Sequence, residues 1–497
     1  MERRIRILGI VLVVLYLGLF VQLNNIQVLR SQALDTSPGN PRVAAQLYDQ
    51  PRGQILSSDG QILAESVPSP NSLYKYQRVY PAATASLFAN VVGFDSYDYG
   101  LDGVEAEYDK YLSAHTRPAT SLRDLLTNRT TVDDVTLTLN AKLQAQVAAA
   151  LATIPGSPPS SAVVITPSTG AIDAMYSSPS YDPNPLVSQS IPTEVAAWDA
   201  ENAATPNPRL AAAYRTTYEP GSTFKIVTSA AVYDHQPALA KVDYPPEQCV
   251  NVAPNETNVP ICNYGLGTPQ GPETCGGTIV PALAQSCDIV FAQLGVALGG
   301  PALAAEANAF GFNQPVPLDL PYVLTSVFPN PSTFVQNTPQ LAFSAFGQGN
   351  DQASPLQMAL VTAGIADKGV IMNPHVMAQI RDSQGNLVTT YAPKPWLRAT
   401  SAATAASVTS LMRGVVTNPL GTAYGIFPAS EDVAAKTGTA QTGHHQTNDW
   451  LVAFAPANQP KVAIAVAVPA QPSSATGAGT TGPVIAAIMA AALADLP

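Results

Sequence analysis

The segment Tyr218-Glu219-Pro220-Gly221-Ser222-Thr223-Phe224-Lys225-Ile226-Val227 sets a hydroxyl and an amine at positions i and i+3, directly after a Pro-Gly break. A helix that starts near Ser222 puts both groups on one face. A hydroxyl at such an N-terminus meets the positive end of the helix dipole, which favours developing negative charge. The chemistry this pair can do is nucleophilic acyl transfer, provided the amine can take the serine's proton. Lowering a lysine from about 10.4 to about 7 needs roughly 4–5 kcal/mol of desolvation or neighbouring positive charge. The apolar Phe224, Ile226 and Val227 make that burial credible. Alone the spacing is weak: it recurs at Ser72-Leu73-Tyr74-Lys75, among tyrosines and turns, and is read there as accidental.

Two further stretches give Ser222 its company. Lys436-Thr437-Gly438-Thr439-Ala440 ends the apolar strand Val433-Ala434-Ala435. A strand edge of this composition offers a cation, two hydroxyls and an unhindered backbone beside glycine. Together these can hold a substrate carboxylate and donate an N–H to an oxyanion. Between the two lies Ala284-Gln285-Ser286-Cys287-Asp288, which adds a second hydroxyl and a carboxylate.

The elements that must position these residues can be read in outline. Arg3, Arg4 and Arg6 precede an uncharged run from Ile7 to Leu23, with Asn24–Leu29 extending it into the interface. That length suits one membrane crossing. No A-x-A cleavage site follows closely, and the run exceeds a signal-peptide core, so an uncleaved anchor is expected. The arginine bias puts residues 1–6 in the cytoplasm, the anchor at 7–29 and the remainder outside. Residues 36–134 read as a module of short strands and turns, with Ile55-Leu56 and Ile62-Leu63-Ala64 forming a hairpin around Asp59-Gly60. A second regime, 135–497, opens with a strand near Val135–Leu139, a helix over Ala141–Leu151 and a hairpin of Ala162–Ile165 with Ala171–Met175. A helical middle follows, then strands at Val433–Ala440, Trp450–Ala455 and Lys461–Val468. Gln471–Gly482 reads as a loop and Pro483–Leu496 as a terminal helix. Early strands, a helical middle and late strands predict an α+β domain, an antiparallel sheet covered by helices.

Composition narrows the function. Across 497 residues the formal net charge is −11 and charged residues make up only 12%, which argues against a nucleic-acid binder. The histidines His115, His235 and His375 are scattered and no C-x-x-C pair is present, so neither a zinc site nor any other cofactor is expected. Outside the cytoplasm the cysteines Cys249, Cys262, Cys275 and Cys287 can form disulfides. Three complete pairings are open; a single bond among the first three, with Cys287 free, is the arrangement expected.

The trio of stretches resembles the S-x-x-K, S-x-N and K-T-G elements of the penicillin-recognising serine acyltransferases. The wider chain is similar to class B penicillin-binding proteins, in particular their compact actinobacterial type. The likeness rests on Arg52-Gly53, Asp59-Gly60, Leu63-Ala64 and Gly103-Val104-Glu105 in the first module. It continues through Asp182-Pro183-Asn184, Gly347-Gln348-Gly349, Pro355-Leu356-Gln357-Met358-Ala359 and Asp449-Trp450, in order from anchor to last helix. The resemblance implies a serine transpeptidase/β-lactamase-like domain, an N-terminal pedestal or dimerisation-like module and a peptidoglycan D,D-transpeptidase activity. Ser222 would attack the carbonyl of a D-Ala-D-Ala stem peptide, Lys225 would serve as acylation base and Ser286 would relay a proton to the leaving amine. Lys436, Thr437, Gly438 and Thr439, with Asp288, would bind substrate, and the N–H groups of Ser222 and Thr439 would form the oxyanion hole. β-Lactams would acylate the same serine. A polytopic glycan polymerase of the shape–elongation–division–sporulation family is the implied membrane partner. The alternatives are a catalytically weak scaffold of that polymerase, and a serine β-lactamase or β-lactam sensor.

One position departs from the pattern. Asp288 stands where the family has Asn, and an ionised Asp cannot donate a hydrogen bond to a substrate carbonyl. Its charge is expected to raise the Lys225 pKa and to alter substrate or β-lactam preference without abolishing activity. His444 and His445 are read as solvent-facing, Trp450 as sheet packing, and Tyr74, Tyr76 and Tyr80 as ordinary structural aromatics.

Overall fold

The computed structural model describes residues 2–29, 48–69, 74–116, 130–265, 273–442 and 445–496. The second S-x-x-K serine, Ser72, and His444 lie outside the described residues. The apolar N-terminal run forms the helix Glu2–Asn24, which continues as a wider turn, Asn25–Leu29. None of its side chains is buried, and Glu2–Gln27 is long and apolar enough to cross a bilayer. Gly477–Asp495 also has that length and composition, but it packs against the central sheet and the helix Ala141–Ala152.

The central sheet has five antiparallel strands, in the order Ile172–Ser178, Ser160–Ile165, Val462–Pro472, Gln446–Ala455 and Ala434–Gln441. Helices Gly477–Asp495 and Ala141–Ala152 cover one face, and Pro355–Ala366 lies against Val462–Pro472 and Ser160–Ile165. Because helices pack on it, the strand Val462–Pro472 is buried at nearly every residue. That explains why its sequence, VAIAVAVPAQP, runs apolar without a polar face. Every residue of Pro355–Ala366 is buried, as expected of a helix that is apolar all round.

The C-terminal boundaries differ from the sequence reading. The last strand runs on to Pro472, and the final helix starts at Gly477, with Pro483 inside it. Tertiary contact overrides the proline signal. Thr476 caps the Gly479 N–H, and the Gly477 N–H donates 2.9 Å to Thr439 Oγ1. A Cβ at residue 477 would sit 2.1 Å from the Gly438 carbonyl, so only glycine lets the helix start there.

The N-terminal module contains short helices as well as strands, among them Ala85–Val92 and Gly103–Glu107. Its six-stranded sheet runs Leu387–Thr390, Met377–Asp382, Asp133–Leu137, Ile55–Leu56, Ile62–Pro68 and Tyr76–Val79. Segments from both sides of residue 135 therefore share one sheet.

The Arg52-Gly53 and Gly103-Val104-Glu105 motifs meet in its core. The fully buried Glu105 carboxylate accepts from Arg52 Nε at 2.7 Å, Arg78 Nε at 2.6 Å and Tyr80 OH at 3.2 Å. Burial pushes the Glu105 pKa up, and Arg78 and Arg52 more than reverse it. A Cβ at Gly53 would lie 2.0 Å from the Asp133 carbonyl, so glycine is needed where the Arg52 loop crosses that strand. Arg215 pairs bidentately with Asp102 at 2.5 and 2.8 Å and ties the module to the catalytic body.

Removing one member of a buried ion pair typically costs about 3–5 kcal/mol. Glu105→Ala is expected to lower unfolding free energy by that order in denaturant titration. Lys142→Ala, which loses only an exposed pair with Asp495, should change it by less than about 1 kcal/mol.

Candidate active site

Ser222 sits in a tight 3-10 turn, Gly221–Phe224, and the α-helix proper begins one turn later than the sequence suggests, at Lys225–His235. Gly221 takes a positive φ of 52° and donates its N–H to the Gly347 carbonyl at 2.8 Å. A Cβ at Gly347 would come within 2.2 Å of the Gly221 carbonyl. The two glycine motifs therefore exist to let two backbones touch behind the serine. Trp450 Nε1 donates to the Glu219 carbonyl at 2.9 Å, so this buried indole supports the entry to the Gly221–Phe224 turn as well as packing in the sheet. Ser222 is 9% exposed and Lys225 fully buried.

Ser286, Cys287 and Asp288 form the turn that enters the helix Asp288–Leu298. Ser286 adopts φ 60°, a left-handed conformation that costs a residue with a Cβ about 1–2 kcal/mol. That turn aims both functional groups at the lysines. Lys225 Nζ lies 2.6 Å from Asp288 Oδ1, 2.6 Å from the Ser286 carbonyl and 3.4 Å from Ser286 Oγ. Asp288 Oδ1 is also 3.5 Å from Ser222 Oγ.

From the edge strand Ala434–Gln441, the buried Lys436 Nζ donates to Ser286 Oγ at 2.8 Å. Thr437 Oγ1 is 2.6 Å from Thr422 Oγ1. Gly438 faces the nucleophile turn, where an added Cβ would meet Thr223 Cγ2 at 2.9 Å and the Pro220 carbonyl at 3.0 Å. Ser222, Lys225, Ser286, Asp288 and Lys436 thus form one continuous chain of contacts, with Thr437, Gly438 and Thr439 along its edge.

Burial pushes Lys225 below the ordinary lysine range, and the carboxylate of Asp288 opposes it. The charge of Asp288 acts in the direction expected from the sequence, but desolvation outweighs it. Lys436 is held well below its ordinary value by burial and then by the nearby Lys225, with Asp288 again opposing.

The cleft beside this chain has a volume of about 190 Å³. Two of its walls escaped the sequence reading. Tyr264 reaches across to the opposite loop, its hydroxyl 3.0 Å from the Ala475 carbonyl, and Glu273 faces the cleft from the same arm. Both come from the 244–277 segment, whose polar, turn-rich sequence gives no signal of a catalytic wall. A larger cavity, about 250 Å³, opens in the N-terminal module. Its walls include Arg52, which pairs with both Asp95 and Asp109.

The cysteine expectation is corrected. Cys249 bonds Cys262 and Cys275 bonds Cys287, so Cys287 is not free. The second bridge ties the middle residue of the Ser286–Asp288 turn to the strand Cys275–Gly277. Asn263, next to the first bridge, accepts from the Ile289 N–H at 3.1 Å and donates to the Glu273 carbonyl at 2.9 Å. Sequence order could not supply this pairing, because it depends on how the arm folds back. Among the described residues no group of His, Cys, Asp or Glu is arranged to hold a metal.

Residues 160–490 match the model of the penicillin-binding protein transpeptidase domain, and residues 52–133 match that of the penicillin-binding protein A dimerisation domain. The chain belongs to the penicillin-binding protein transpeptidase family.

Within the penicillin-binding proteins it is similar along its whole length to curated relatives. It is 34% identical to the peptidoglycan D,D-transpeptidase PbpA of Mycolicibacterium smegmatis, over 100% of both chains. It is likewise 34% identical to that of Mycobacterium tuberculosis, over 100% of this chain and 99% of the relative. Among solved structures, the ceftriaxone acyl-enzyme of penicillin-binding protein A from M. tuberculosis superposes with a TM-score of 0.79 at 31% identity. That likeness covers 90% of this chain and 100% of the other. The penicillin G acyl-enzyme of the same protein gives 0.78 at 31% identity, covering 89% and 100%. The fold of this penicillin-binding protein is the expected α+β serine-acyltransferase fold, with an N-terminal module and an apolar N-terminal helix. Of the remaining readings, His445 is exposed, and Tyr80 is buried with its hydroxyl on Glu105.

A bridge closing a loop of this size contributes on the order of 3 kcal/mol. Cys275→Ser/Cys287→Ser is expected to lose about that much in unfolding titrations. It should also be acylated more slowly by penicillin, because the turn that presents Ser286 and Asp288 is released.

Proposed function

We propose that Ser222 is the nucleophile of a peptidoglycan D,D-transpeptidase that passes through a serine acyl-enzyme. The observation that carries this reading is the unbroken contact chain from Ser222 through Asp288, Lys225 and Ser286 to Lys436. It gathers three distant stretches of sequence on one cleft. In acylation the Ser222 oxygen attacks the penultimate D-Ala carbonyl while Lys225 and its neighbours manage the proton. The N–H groups of Ser222 and Thr439 receive the developing oxyanion; losing one such donor typically costs about 2.7–4 kcal/mol of transition-state stabilisation. Ser286 Oγ, held by Lys436, protonates the departing D-Ala amine. Lys436, Thr437, Gly438 and Thr439 hold the terminal carboxylate. An amine from a second stem peptide then resolves the acyl-enzyme and forms the cross-link. A β-lactam follows the first half of this path and stays attached.

The apolar helix Glu2–Asn24 anchors the protein in the membrane, and its leading arginines orient residues 1–6 toward the cytoplasm. The catalytic domain, 135–497, then lies outside, where the two disulfides are chemically favoured. The anchor at 7–29 and the module at 36–134 are read as the docking elements for a glycan polymerase of the shape–elongation–division–sporulation family.

A fluorescent penicillin is expected to label the detergent-solubilised wild type and not Ser222→Ala. Wild type should also release D-Ala from a pentapeptide-bearing lipid-linked precursor. Equal labelling of both proteins would reject Ser222, and no labelling of either would leave a non-catalytic scaffold.

A further inference from the structure

The acylation base of this site is usually sought in the amine of the S-x-x-K motif. Here that amine does not touch the serine: among the described residues, no hydrogen bond joins Lys225 Nζ to Ser222 Oγ. Its neighbours are Asp288 Oδ1, the Ser286 carbonyl and Ser286 Oγ. Two of these can only accept, and the third can accept, so together they match the three donors of an ammonium group. A free amine would need its lone pair directed at Ser222. The group within reach of Ser222 Oγ is instead Asp288 Oδ1, at 3.5 Å. That is long for a hydroxyl–carboxylate bond, yet catalytic contacts in an empty site commonly tighten once substrate binds.

We propose that Asp288 is the immediate acceptor of the Ser222 proton in acylation, with Lys225 as its ammonium partner. The inference rests on Ser222 being the nucleophile and concerns only where its proton goes. As the Ser222 oxygen uses an electron pair to bond the carbonyl carbon, its O–H bond breaks and the proton moves to Asp288 Oδ1. When the C–N bond breaks, the leaving nitrogen takes a proton from Ser286 Oγ. Lys225 Nζ refills Ser286 and recovers the proton from Asp288. The net transfer is one proton, from Ser222 to the leaving nitrogen.

The surroundings fit a carboxylate in this role. Lys225 faces Asp288 from the nucleophile helix, Lys436 from the edge strand and Glu273 from the arm, all close enough to interact electrostatically. Asp288 is the first residue of its helix, where the dipole favours negative charge. Cys287, bonded to Cys275, and the Ile289 N–H, bonded to Asn263, fix its position. An Asn at residue 288 could orient substrate but could not hold a proton.

The test is the pH dependence of the second-order acylation rate constant with benzylpenicillin, on the full chain, for wild type, Asp288→Asn and Asp288→Glu. Wild type is expected to hold its acylation rate to lower pH than Asp288→Asn does. Asp288→Asn should acylate about 10²-fold or more slowly at pH 7, with its acid limb moved to higher pH. Asp288→Glu should restore part of the rate and keep an acid limb close to that of wild type. Asp288→Asn as fast as wild type at pH 7, or an acid limb at the same pH in Asp288→Asn as in wild type, would overturn the assignment. If Asp288→Asn does not fold, Asp288→Glu decides: part of the wild-type rate with an unmoved acid limb supports the assignment, and a folded Asp288→Glu that is not acylated overturns it. Loss of the adduct in Ser222→Ala, checked in parallel, keeps a failed base assignment distinct from a failed nucleophile assignment.

Discussion

Two lysine side chains, both removed from water, converge on the hydroxyl of Ser286. Burying one ammonium is costly and burying two beside each other is more so. The site is stable because Asp288 supplies the compensating carboxylate to Lys225, while Lys436 is driven toward its neutral form. Every nearby feature serves that arrangement. The strained φ of Ser286 turns its carbonyl and hydroxyl toward Lys225 together, and the Cys275–Cys287 bridge holds the turn against relaxation. A structural lysine would simply have reached for solvent.

The second constraint is how closely the backbones approach. Gly221, Gly347, Gly438 and Gly477 lie where nucleophile turn, edge strand and terminal helix meet, and at each an added Cβ would collide with another backbone or a neighbouring side chain. With no side chains between them, these elements leave the serine no room to shift. The apolar helix Pro355–Ala366, buried on all sides, packs against the sheet and the helix Ala402–Thr417. Tyr264 and Glu273 then wall the cleft from an arm cross-linked at both ends. Rigidity comes from the glycines and the core, and the arm closes one side of the cleft.

Much of this was legible in the sequence because the signals were local. The Pro-Gly break, the S-x-x-K spacing, the apolar strand ending in Lys-Thr-Gly-Thr and the apolar N-terminal helix each declare themselves within a few residues. The Ile55–Ala64 hairpin and the late strands are legible for the same reason. What stayed hidden depends on distant partners. The bond to Cys287 requires the arm to fold back, and the early start of the last helix requires contact with Thr439 and Gly438. Arg52 and Glu105 looked like isolated motif residues until folding brought them together with Arg78. Asp288 was recognised as a departure, but only the geometry shows that it stands between the serine and the amine.

The sheet of the N-terminal module carries a structural consequence for how this protein can be taken apart. Its outer strands, Met377–Asp382 and Leu387–Thr390, are encoded deep within the transpeptidase segment, while Asp133–Leu137 joins them to Ile55–Leu56. The module is therefore not a detachable bead on the chain. A chimera that exchanged it at residue 135 would leave a raw sheet edge on each parent. For the same reason, a pull applied to the strand Ile55–Leu56 has a hydrogen-bonded path through Asp133–Leu137 into segments of the transpeptidase domain.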